Sequence, residues 1–321
     1  MATIAQKLKT IGRTLFREHP VQTLRAAARR NLRLWRVARH RGETFSYRTG
    51  SGGKFVCIPG SATSVQQFVG DDHYEEVELT LCRSWLQSGD ACLDVGANIG
   101  QFAVRMARAV TADGFVLAVE PGPDTVAHLR TAIAHLGLSQ VRIEPVCVSD
   151  SAGEVEFQMA IGETSDVEAA IKVNADAAGF RGVAVPSVTL NDLIERHGIG
   201  ERLALVKIDI EGAEPLALRG GSRIFDRQRL PLIVIEIHRA ALGNFGFGPA
   251  DVLGFFPEEH FDLYHVQRSR SDLTPRFAYG KIYSLRDPVA HSWPWYSNLI
   301  AVPRVGAYAK RRSRLTLPEG R

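Results

Sequence analysis

The sequence predicts an α/β fold built on a mostly parallel, doubly wound sheet. An apolar run at Ala91–Val95 is followed at once by a glycine turn and then by a helical pattern over residues 102–109. Two further apolar runs, Phe115–Val119 and residues 141–148, follow in the chain, and each ends in polar residues. Three strand-like runs in succession, with polar groups at their carboxyl ends, are typical of a sheet that binds a ligand at that edge.

The turn after the first run has the composition of a ligand-binding loop. Asp94 lies near the end of the strand, and Gly96, Asn98 and Gly100 follow before the helix begins. A strand, a tight glycine turn and a helix start bring the backbone close under the polar groups of a ligand. We expect Gly96 to let the ligand approach, Gly100 to let the helix pack on the strand, and Asp94 to place a carboxylate beside a cation.

The next two runs end in residues that suit a nucleoside. Glu120 follows the second run, at the position where an acidic residue accepts hydrogen bonds from both ribose hydroxyl groups. Ser149 and Asp150 follow the third run, where an adenine ring would find polar partners. An exposed glutamate at a strand end is the structural alternative for Glu120.

The spacing of the glycines separates two nucleoside-containing ligands. A dinucleotide site needs G-x-G-x-x-G, but this chain has D-V-G-A-N-I-G over residues 94–100. The Asp94 carboxylate would repel a pyrophosphate, which argues against a nicotinamide-dependent oxidoreductase. The same carboxylate suits a ligand that carries an amino group and a sulfonium. The loop therefore predicts S-adenosylmethionine as the ligand.

Charged residues also gather at the ends of a fourth and a fifth apolar run, residues 203–210 and 232–237. In an open α/β sheet such side chains meet beside the ligand, so four residues are predicted to converge there as the catalytic group: Asp209, Glu211, Glu236 and His238. A purely structural charge network is the alternative. Lys207 fits that alternative best, as a buried counter-ion.

A divalent cation is a second possibility for these acids. Asp209 and Glu236, with or without His238, offer the hard ligands that magnesium prefers. We favour the version without a metal ion, in which a side chain acts as the base.

The first 41 residues are rich in arginine and poor in acids. Five apolar residues recur at helical spacing and would share one side of a helix: Val21, Leu24, Ala28, Leu32 and Trp35. Five arginines lie mostly on the other sides: Arg25, Arg29, Arg33, Arg36 and Arg39. Such a helix either rests on an anionic membrane surface or a polyanionic substrate, or packs on the catalytic domain as an ordinary solvated helix. The basic residues 310–314 are expected to form a frayed tail.

Composition limits the class of protein. The 321 residues are 45% hydrophobic with a formal net charge of +4, which is ordinary for a globular protein. The four cysteines have no metal-ligand spacing and are predicted to be buried thiols. No apolar run is long enough to span a membrane, and the amino terminus lacks the apolar core of a signal peptide. We therefore expect a cytoplasmic protein, with peripheral contact at the inner face of the membrane as a possibility.

The regions around the site are less regular. Residues 43–68 suggest a small hairpin, and a helix over residues 73–87 is expected to cap the ligand pocket, with Tyr74 and Glu75 near the ligand or in the core. Residues 154–159 have the alternation of an edge strand, and the insertion that follows them borders the substrate. The aromatic segment 293–296 either covers the active site or packs in the core.

Taken together, several separated motifs resemble the FkbM family of S-adenosylmethionine-dependent methyltransferases: L-D-V-G-A-N-I-G, Glu120-Pro121, Val148-Ser149-Asp150, V-K-I-D-I-E-G-A-E and V-I-E-I-H. The resemblance covers residues 45–303. It implies a Rossmann-like class I fold, with a mostly parallel sheet of about seven strands and helices on both faces. It also implies O-methylation, commonly of sugar or polyketide hydroxyls. The predicted divisions are an extension at 1–41, a methyltransferase domain at 42–305 and a basic tail at 306–321.

Position by position, the resemblance assigns Asp94, Gly96, Asn98 and Gly100 to the donor loop, Glu120 to the ribose, and Ser149 and Asp150 to the adenine. The expected partner is a hydroxylated small molecule or a glycan precursor, and no nucleic acid. A nucleic-acid methyltransferase is disfavoured because Ile210-Glu211-Gly212-Ala213 stands where amino methylation of bases usually has a proline-rich turn with an aromatic residue. A donor-binding scaffold in a cell-surface glycan assembly is the non-enzymatic alternative.

Overall fold

A computed structural model describes residues 20–49, 53–69, 76–160, 169–171, 180–266, 282–284 and 296–315. The strands within these ranges are β1 Phe45–Arg48, β2 Lys54–Cys57, β3 Ala91–Val95, β4 Phe115–Val119, β5 Val141–Glu144, β6 Cys147–Val148, β7 Gly153–Ala160, β8 Ala169–Ile171, β9 Phe180–Val188, β10 Leu203–Ile208, β11 Leu232–His238, β12 Phe261–Val266, β13 Ile282–Ser284 and β14 Tyr296–Pro303. The helices are α1 Pro20–Arg39, α2 Ala62–Val69, α3 Glu76–Trp85, α4 Gln101–Val110, α5 Pro123–Leu136, α6 Leu190–Arg196, α7 Glu214–Arg219, α8 Arg239–Asn244 and α9 Pro249–Leu253. Tyr74, Glu75 and residues 293–295 of the aromatic segment lie outside the described ranges.

The main sheet has the predicted mostly parallel arrangement. Its spatial order is β13-β12-β14-β11-β10-β3-β4-β5, and the five strands from β11 to β5 are parallel. β14 is antiparallel to both β11 and β12. Seven of these strands fit the predicted number, and the three-residue β13 adds a short edge. The order of the parallel strands reverses between β3 and β10, which is where ligands bind in such sheets.

Helices cover both faces of this sheet, as predicted for the Rossmann-like fold. On one face α3 and α4 pack on a core that includes Cys92, Leu205 and Val234. On the other, α6 and α7 pack on Leu93 and Val206, the alternate residues of the same strands. The Trp85 side chain of α3 is fully buried, and its indole N–H donates to the Ala204 carbonyl at 2.7 Å. All four cysteines are buried and free, as expected.

Two strand assignments from the sequence are wrong. The run 141–148 is not one strand: β5 ends at Glu144, and β6 pairs with β9 in a separate four-stranded sheet of order β6-β9-β7-β8. Pro145 explains the break, because proline has no backbone N–H to donate to a ladder. β7 is not an edge strand, because it lies between β9 and β8. The predicted hairpin at residues 43–68 is present as the antiparallel pair β1–β2.

Residues 306–315 are not a frayed tail. Residues Ala309–Arg314 form a 3-10 helix that packs beside β14 and α3. The Arg311 guanidinium pairs with the Asp90 carboxylate through both of its terminal nitrogens, one of them at 2.9 Å, and both side chains are about nine-tenths buried. Arg312 pairs with Asp262. Two of the basic residues, Arg311 and Arg312, are therefore held by carboxylates of the domain. The divisions at residues 41 and 305 stay predictions.

Helix α1 contacts the domain through arginines. Arg33 donates to the Phe68 carbonyl at 3.1 Å, and Arg36 donates to the Ser46 carbonyl at 3.1 Å. Val37 of the same helix packs against the core, but Leu32 and Trp35 point away from it, since they are 65% and 56% exposed. With Leu34 they are the large exposed apolar side chains of the described chain. None of the described helices carries an apolar stretch that would cross a bilayer.

Candidate functional site

The candidate residues share one face of the main sheet. Asp94, Lys207 and Glu236 extend the series of Cys92, Leu205 and Val234, which lies in the core beneath α3 and α4. Asp94 and Lys207 are direct partners in the β3–β10 register. This face is thus apolar along most of the strands and becomes polar at their carboxyl ends, next to the reversal in strand order.

The glycine loop forms the tight turn that its sequence predicts, with three residues in the left-handed region. Gly96 and Gly100 have φ of 78° and 90°, and Asn98 has φ of 48°. A Cβ atom on Gly96 would lie 1.8 Å from the Asp209 carbonyl oxygen, so the protein's own backbone already requires glycine there. A Cβ atom on Gly100 would lie 2.6 Å from a Leu129 methyl group of α5, so that glycine makes room for a helix and not for β3.

Asp94 is a buried carboxylate with little compensation. Its side chain is 0% exposed, and no side chain among the described residues donates a hydrogen bond to either oxygen. The nearest cation is the Lys207 ammonium, 4.0 Å from Oδ1. Burial raises the pKa of Asp94 from 3.8 to about 6, and the Lys207 charge and the Ala103 backbone N–H in the first turn of α4 oppose that rise. Such a carboxylate is suited to receive a positively charged ligand group.

Glu120 ties the glycine loop to the end of β4. Its Oε2 accepts from the Asn98 backbone N–H at 3.0 Å, and its Oε1 accepts from the Gly122 N–H at 2.9 Å. Burial raises the pKa of Glu120 from 4.5 to about 7, while these two hydrogen bonds lower it. A carboxylate oxygen accepts more than one hydrogen bond, so both oxygens keep capacity for hydroxyl donors. Glu120 is therefore a buried anchor, and not the exposed strand end that was the structural alternative.

Ser149 and Asp150 follow β6 of the second sheet, not a strand of the main sheet. The Ser149 N–H donates to the Val188 carbonyl at 3.0 Å, and its hydroxyl lies 3.4 Å from the Asp150 carboxylate. Ser149 is buried and Asp150 is exposed. Burial raises the pKa of Cys147 to about 12, and the Glu120 charge adds to that rise. The charge effect indicates that β6 lies near Glu120, but no described contact joins Ser149 or Asp150 to Glu120.

The predicted convergence of acids on the neighbouring strands is present in the structure. One carboxylate oxygen from each of Asp209, Glu211 and Glu236 lies within 4.8 Å of the others. His238 Nδ1 lies 4.0 Å from Glu211 Oε2. The Lys207 ammonium donates to Asp209 Oδ2 at 3.0 Å and to the Gly96 carbonyl at 3.3 Å, which agrees with its interpretation as a buried counter-ion.

Three buried polar residues beside this cluster were missed by the sequence analysis. Glu214 accepts backbone hydrogen bonds from the loop that carries Glu211. Asn298, which lies opposite Glu236 in the β11–β14 register, donates its side-chain amide to Glu78 of α3 at 2.6 Å. The sequence did carry a signal for Glu214, because it is the second acidic residue of the motif I-E-G-A-E. Glu78 and Asn298 had none, because they are 220 residues apart in the chain.

The arrangement supports two kinds of ligand. The buried Asp94 carboxylate and the Glu120 carboxylate fit an amino group and a diol beside the glycine loop. The oxygens of Asp209, Glu211 and Glu236 are hard ligands at a spacing compatible with one divalent cation. The Lys207 ammonium already balances part of the charge of Asp209.

Comparison with known proteins agrees with this geometry. A family model described as the methyltransferase FkbM domain matches residues 94–263, more than half of the chain. Among curated proteins none matches the sequence.

Solved structures with a similar fold include three methyltransferases. The FkbM methyltransferase from Methylobacillus flagellatus has 16% sequence identity and a TM-score of 0.39; the match covers 75% of this chain and 55% of that protein. A SAM-dependent O-methyltransferase from Thermotoga maritima has 14% identity and a TM-score of 0.38, covering 81% of this chain and 77% of that one. A putative rRNA methylase from Clostridium thermocellum has 10% identity and a TM-score of 0.38, covering 72% and 95%.

The family model extends from Asp94 of the glycine loop through the strands that carry Glu120, Asp209 and Glu236. It therefore includes the elements whose side chains build the site. The chain belongs to the FkbM methyltransferase family.

Proposed function

We propose that the protein is an S-adenosylmethionine-dependent O-methyltransferase acting on a hydroxyl group of a sugar, a glycolipid or polysaccharide precursor, or a secondary metabolite. The observation that carries the proposal is the fully buried Asp94 carboxylate, which has no side-chain hydrogen-bond partner among the described residues and whose nearest cation, the Lys207 ammonium, is 4.0 Å away. It lies on the same sheet face as the acidic cluster of the next two strands. A cationic donor at Asp94 would therefore lie beside that cluster.

The donor site would be formed by residues of the first strands. Asp94 would receive the amino group of S-adenosylmethionine, and Glu120 would accept from the ribose hydroxyls through the remaining lone pairs of its oxygens. Gly96, Asn98 and Gly100 would shape the loop beneath the ligand. Ser149 and Asp150 are proposed to lie by the adenine. When bound, the donor supplies an activated methyl group.

The acceptor hydroxyl must lose its proton during transfer, because a neutral hydroxyl is a poor nucleophile. We propose that His238 takes this proton, since a neutral imidazole ring has a nitrogen that can accept one. Glu211, 4.0 Å away, would stabilise the protonated ring. Asp209 and Glu236 would hold the acceptor oxygen in line with the methyl group.

A magnesium ion is the alternative for this cluster. Asp209, Glu211 and Glu236 would hold the ion, which would lower the pKa of the acceptor hydroxyl in place of the histidine. Methyl transfer by the purified protein before and after exhaustive EDTA treatment separates the two versions. Full activity after chelation rules out the metal version, and activity restored by added magnesium supports it.

The function is tested by combining donor binding with turnover. Calorimetric titration is expected to show binding of S-adenosylmethionine, and Asp209→Ala is expected to keep that binding but lose turnover on a panel of hydroxylated acceptors. Asp226→Ala, at an exposed residue of the turn before β11, serves as the control. Binding without turnover on any acceptor would favour the scaffold alternative. Glycan mass spectrometry of cells with and without the gene would identify the acceptor by the loss of one methylene mass.

Contact with an anionic membrane is the second part of the proposal. Helix α1 directs Leu32 and Trp35 outward, and the exposed Arg29 and Arg39 lie on the same helix. Outward apolar residues flanked by arginines suit a surface of anionic lipid. The protein would then act in the cytoplasm at the inner face of the membrane.

Vesicle flotation tests this contact. The protein is expected to bind vesicles that contain phosphatidylglycerol more strongly than phosphatidylcholine vesicles. Leu32→Ser combined with Trp35→Ser should weaken that binding, whereas Asn31→Ser combined with Ala38→Ser, at exposed residues of the same helix outside its apolar set, should not. Equal binding by both double variants would refute the contact.

A further inference from the structure

The loop between β10 and α7 carries two of the proposed site acids in an unusual backbone conformation. Asp209 opens the loop, and Glu211 has φ of 54°, a left-handed value that a residue with a side chain seldom adopts. Gly212 follows with φ of 104°. Such a conformation persists only when surrounding contacts impose it.

Two of those contacts connect the loop to the rest of the site. The Asp209 N–H donates to the Val95 carbonyl at 3.0 Å, and Gly96 touches the Asp209 carbonyl from the donor loop. On the other side, a Cβ atom on Gly212 would lie 2.3 Å from the Ala241 carbonyl oxygen of α8, the helix that follows His238. A shift of this loop would therefore move the acids relative to both the donor loop and His238.

The third contact comes from a side chain within the same motif. Glu214, the first residue of α7, is 2% exposed, and its Oε1 accepts from the Ile210 N–H at 3.0 Å and from the Gly212 N–H at 3.2 Å. These two N–H groups flank Glu211. One buried oxygen thus holds the Asp209–Ile210 peptide group, which follows one site acid, and the Glu211–Gly212 peptide group, which follows the other.

We infer that Glu214 is a positioning residue for methyl transfer, which fixes Asp209 and Glu211 in the geometry that the reaction needs. The inference rests on the proposed function of the cluster. Glu214 acts through the backbone and touches neither donor nor acceptor in this scheme. Its second oxygen has no hydrogen-bond partner among the described residues, so a glutamine amide would retain the oxygen that does the holding.

The test compares Glu214→Ala with Glu214→Gln, using Glu201→Ala at an exposed glutamate as the control. We expect Glu214→Ala to lower kcat by about 10- to 100-fold, because small misplacements of reacting groups have large effects on rate. Its dissociation constant for S-adenosylmethionine should stay within about threefold of wild type, and Glu214→Gln should restore most of kcat. An unchanged kcat for folded Glu214→Ala would overturn the inference, as would a failure of Glu214→Gln to restore activity lost in the alanine variant.

Two further measurements keep the test decisive. Should Glu214→Ala not fold, Glu214→Asp keeps the carboxylate but withdraws its oxygen by one methylene from the Ile210 and Gly212 N–H groups, and the same loss of kcat is expected. If the wild type shows no turnover, the proposed function fails. The positioning role of Glu214 can then be tested separately, by recording the NMR signals of the His238 imidazole in each variant. Those signals should shift in Glu214→Ala and not in Glu201→Ala. Unshifted signals would mean that Glu214 does not position the site.

Discussion

Replacing Asp94 by asparagine should stabilise the protein without ligand while it weakens donor binding. The pKa of Asp94 rises on folding from 3.8 to about 6, because burial disfavours the charged form. That difference corresponds to a free-energy cost of about 3 kcal/mol for keeping the carboxylate ionised in the folded protein. Asparagine carries no charge and avoids this cost. Lys207 keeps its contacts with Asp209 and the Gly96 carbonyl in the variant.

The stabilisation should depend on pH in one direction. The folded protein holds the Asp94 proton more tightly than the unfolded chain, so the wild type loses stability from this group as the pH rises between about 4 and 6. The advantage of Asp94→Asn in the free energy of unfolding should then grow from about 1 kcal/mol at pH 4.5 to about 3 kcal/mol at pH 8. At pH 8 this corresponds to a melting temperature higher by about 4 °C.

Thermal melts of the ligand-free protein at the two pH values measure this effect, and calorimetry measures donor binding. We expect the variant to bind S-adenosylmethionine at least tenfold more weakly, since a hydrogen bond to a charged group contributes about 1.5–3 kcal/mol. Asp113→Asn, at an exposed turn residue, should change neither quantity. A ligand-free Asp94→Asn protein that is less stable than wild type at pH 8 would refute the reasoning.

Three more substitutions test separate parts of the structure. Glu120→Gln should weaken donor binding about tenfold in calorimetry, because an amide cannot accept from both the Asn98 and Gly122 N–H groups; unchanged affinity would contradict the role of Glu120. Gly96→Ala should abolish measurable donor binding or folding, because its methyl group would meet the Asp209 carbonyl at 1.8 Å; normal binding would contradict the close approach. Arg311→Ala should lower the free energy of unfolding in urea by about 3–5 kcal/mol, because the buried Asp90 carboxylate loses its cation and keeps only the hydrogen bond from the Gln87 N–H. The Arg311→Ala variant should bind S-adenosylmethionine as tightly as wild type. A weaker affinity would contradict the conclusion that the Arg311–Asp90 pair lies away from the donor site.

The sequence predicted the main sheet well because local patterns encode it. Buried parallel strands such as β3 and β10 are continuous apolar runs, and their polar ends identify the edge of the sheet where the site lies. The same logic predicted that Asp209, Glu211 and Glu236 would meet, since parallel neighbours bring their carboxyl ends together. The prediction that residues 141–148 form one strand was wrong. Pro145 has no backbone N–H to continue the ladder, so β5 ends at Glu144 and β6 joins another sheet.

The remaining features depend on contacts between distant parts of the chain. The pairing of Glu78 with Asn298 joins α3 to β14, and no local pattern predicts it. Arg311 appeared to belong to a basic tail because its partner, Asp90, lies at the start of β3. For helix α1, the sequence pattern left open whether the helix rests on an anionic surface or packs on the catalytic domain. In the structure Arg33 and Arg36 bind carbonyl groups of the domain, which leaves Trp35 outside.

A crystal structure with S-adenosylhomocysteine, the demethylated donor, tests the central claim most directly. The account predicts that its amino group lies within hydrogen-bond distance of Asp94, that its ribose hydroxyls contact Glu120, and that its sulfur faces Asp209 and Glu236. A ligand bound elsewhere, or a ligand whose sulfur points away from the acidic cluster, would contradict it.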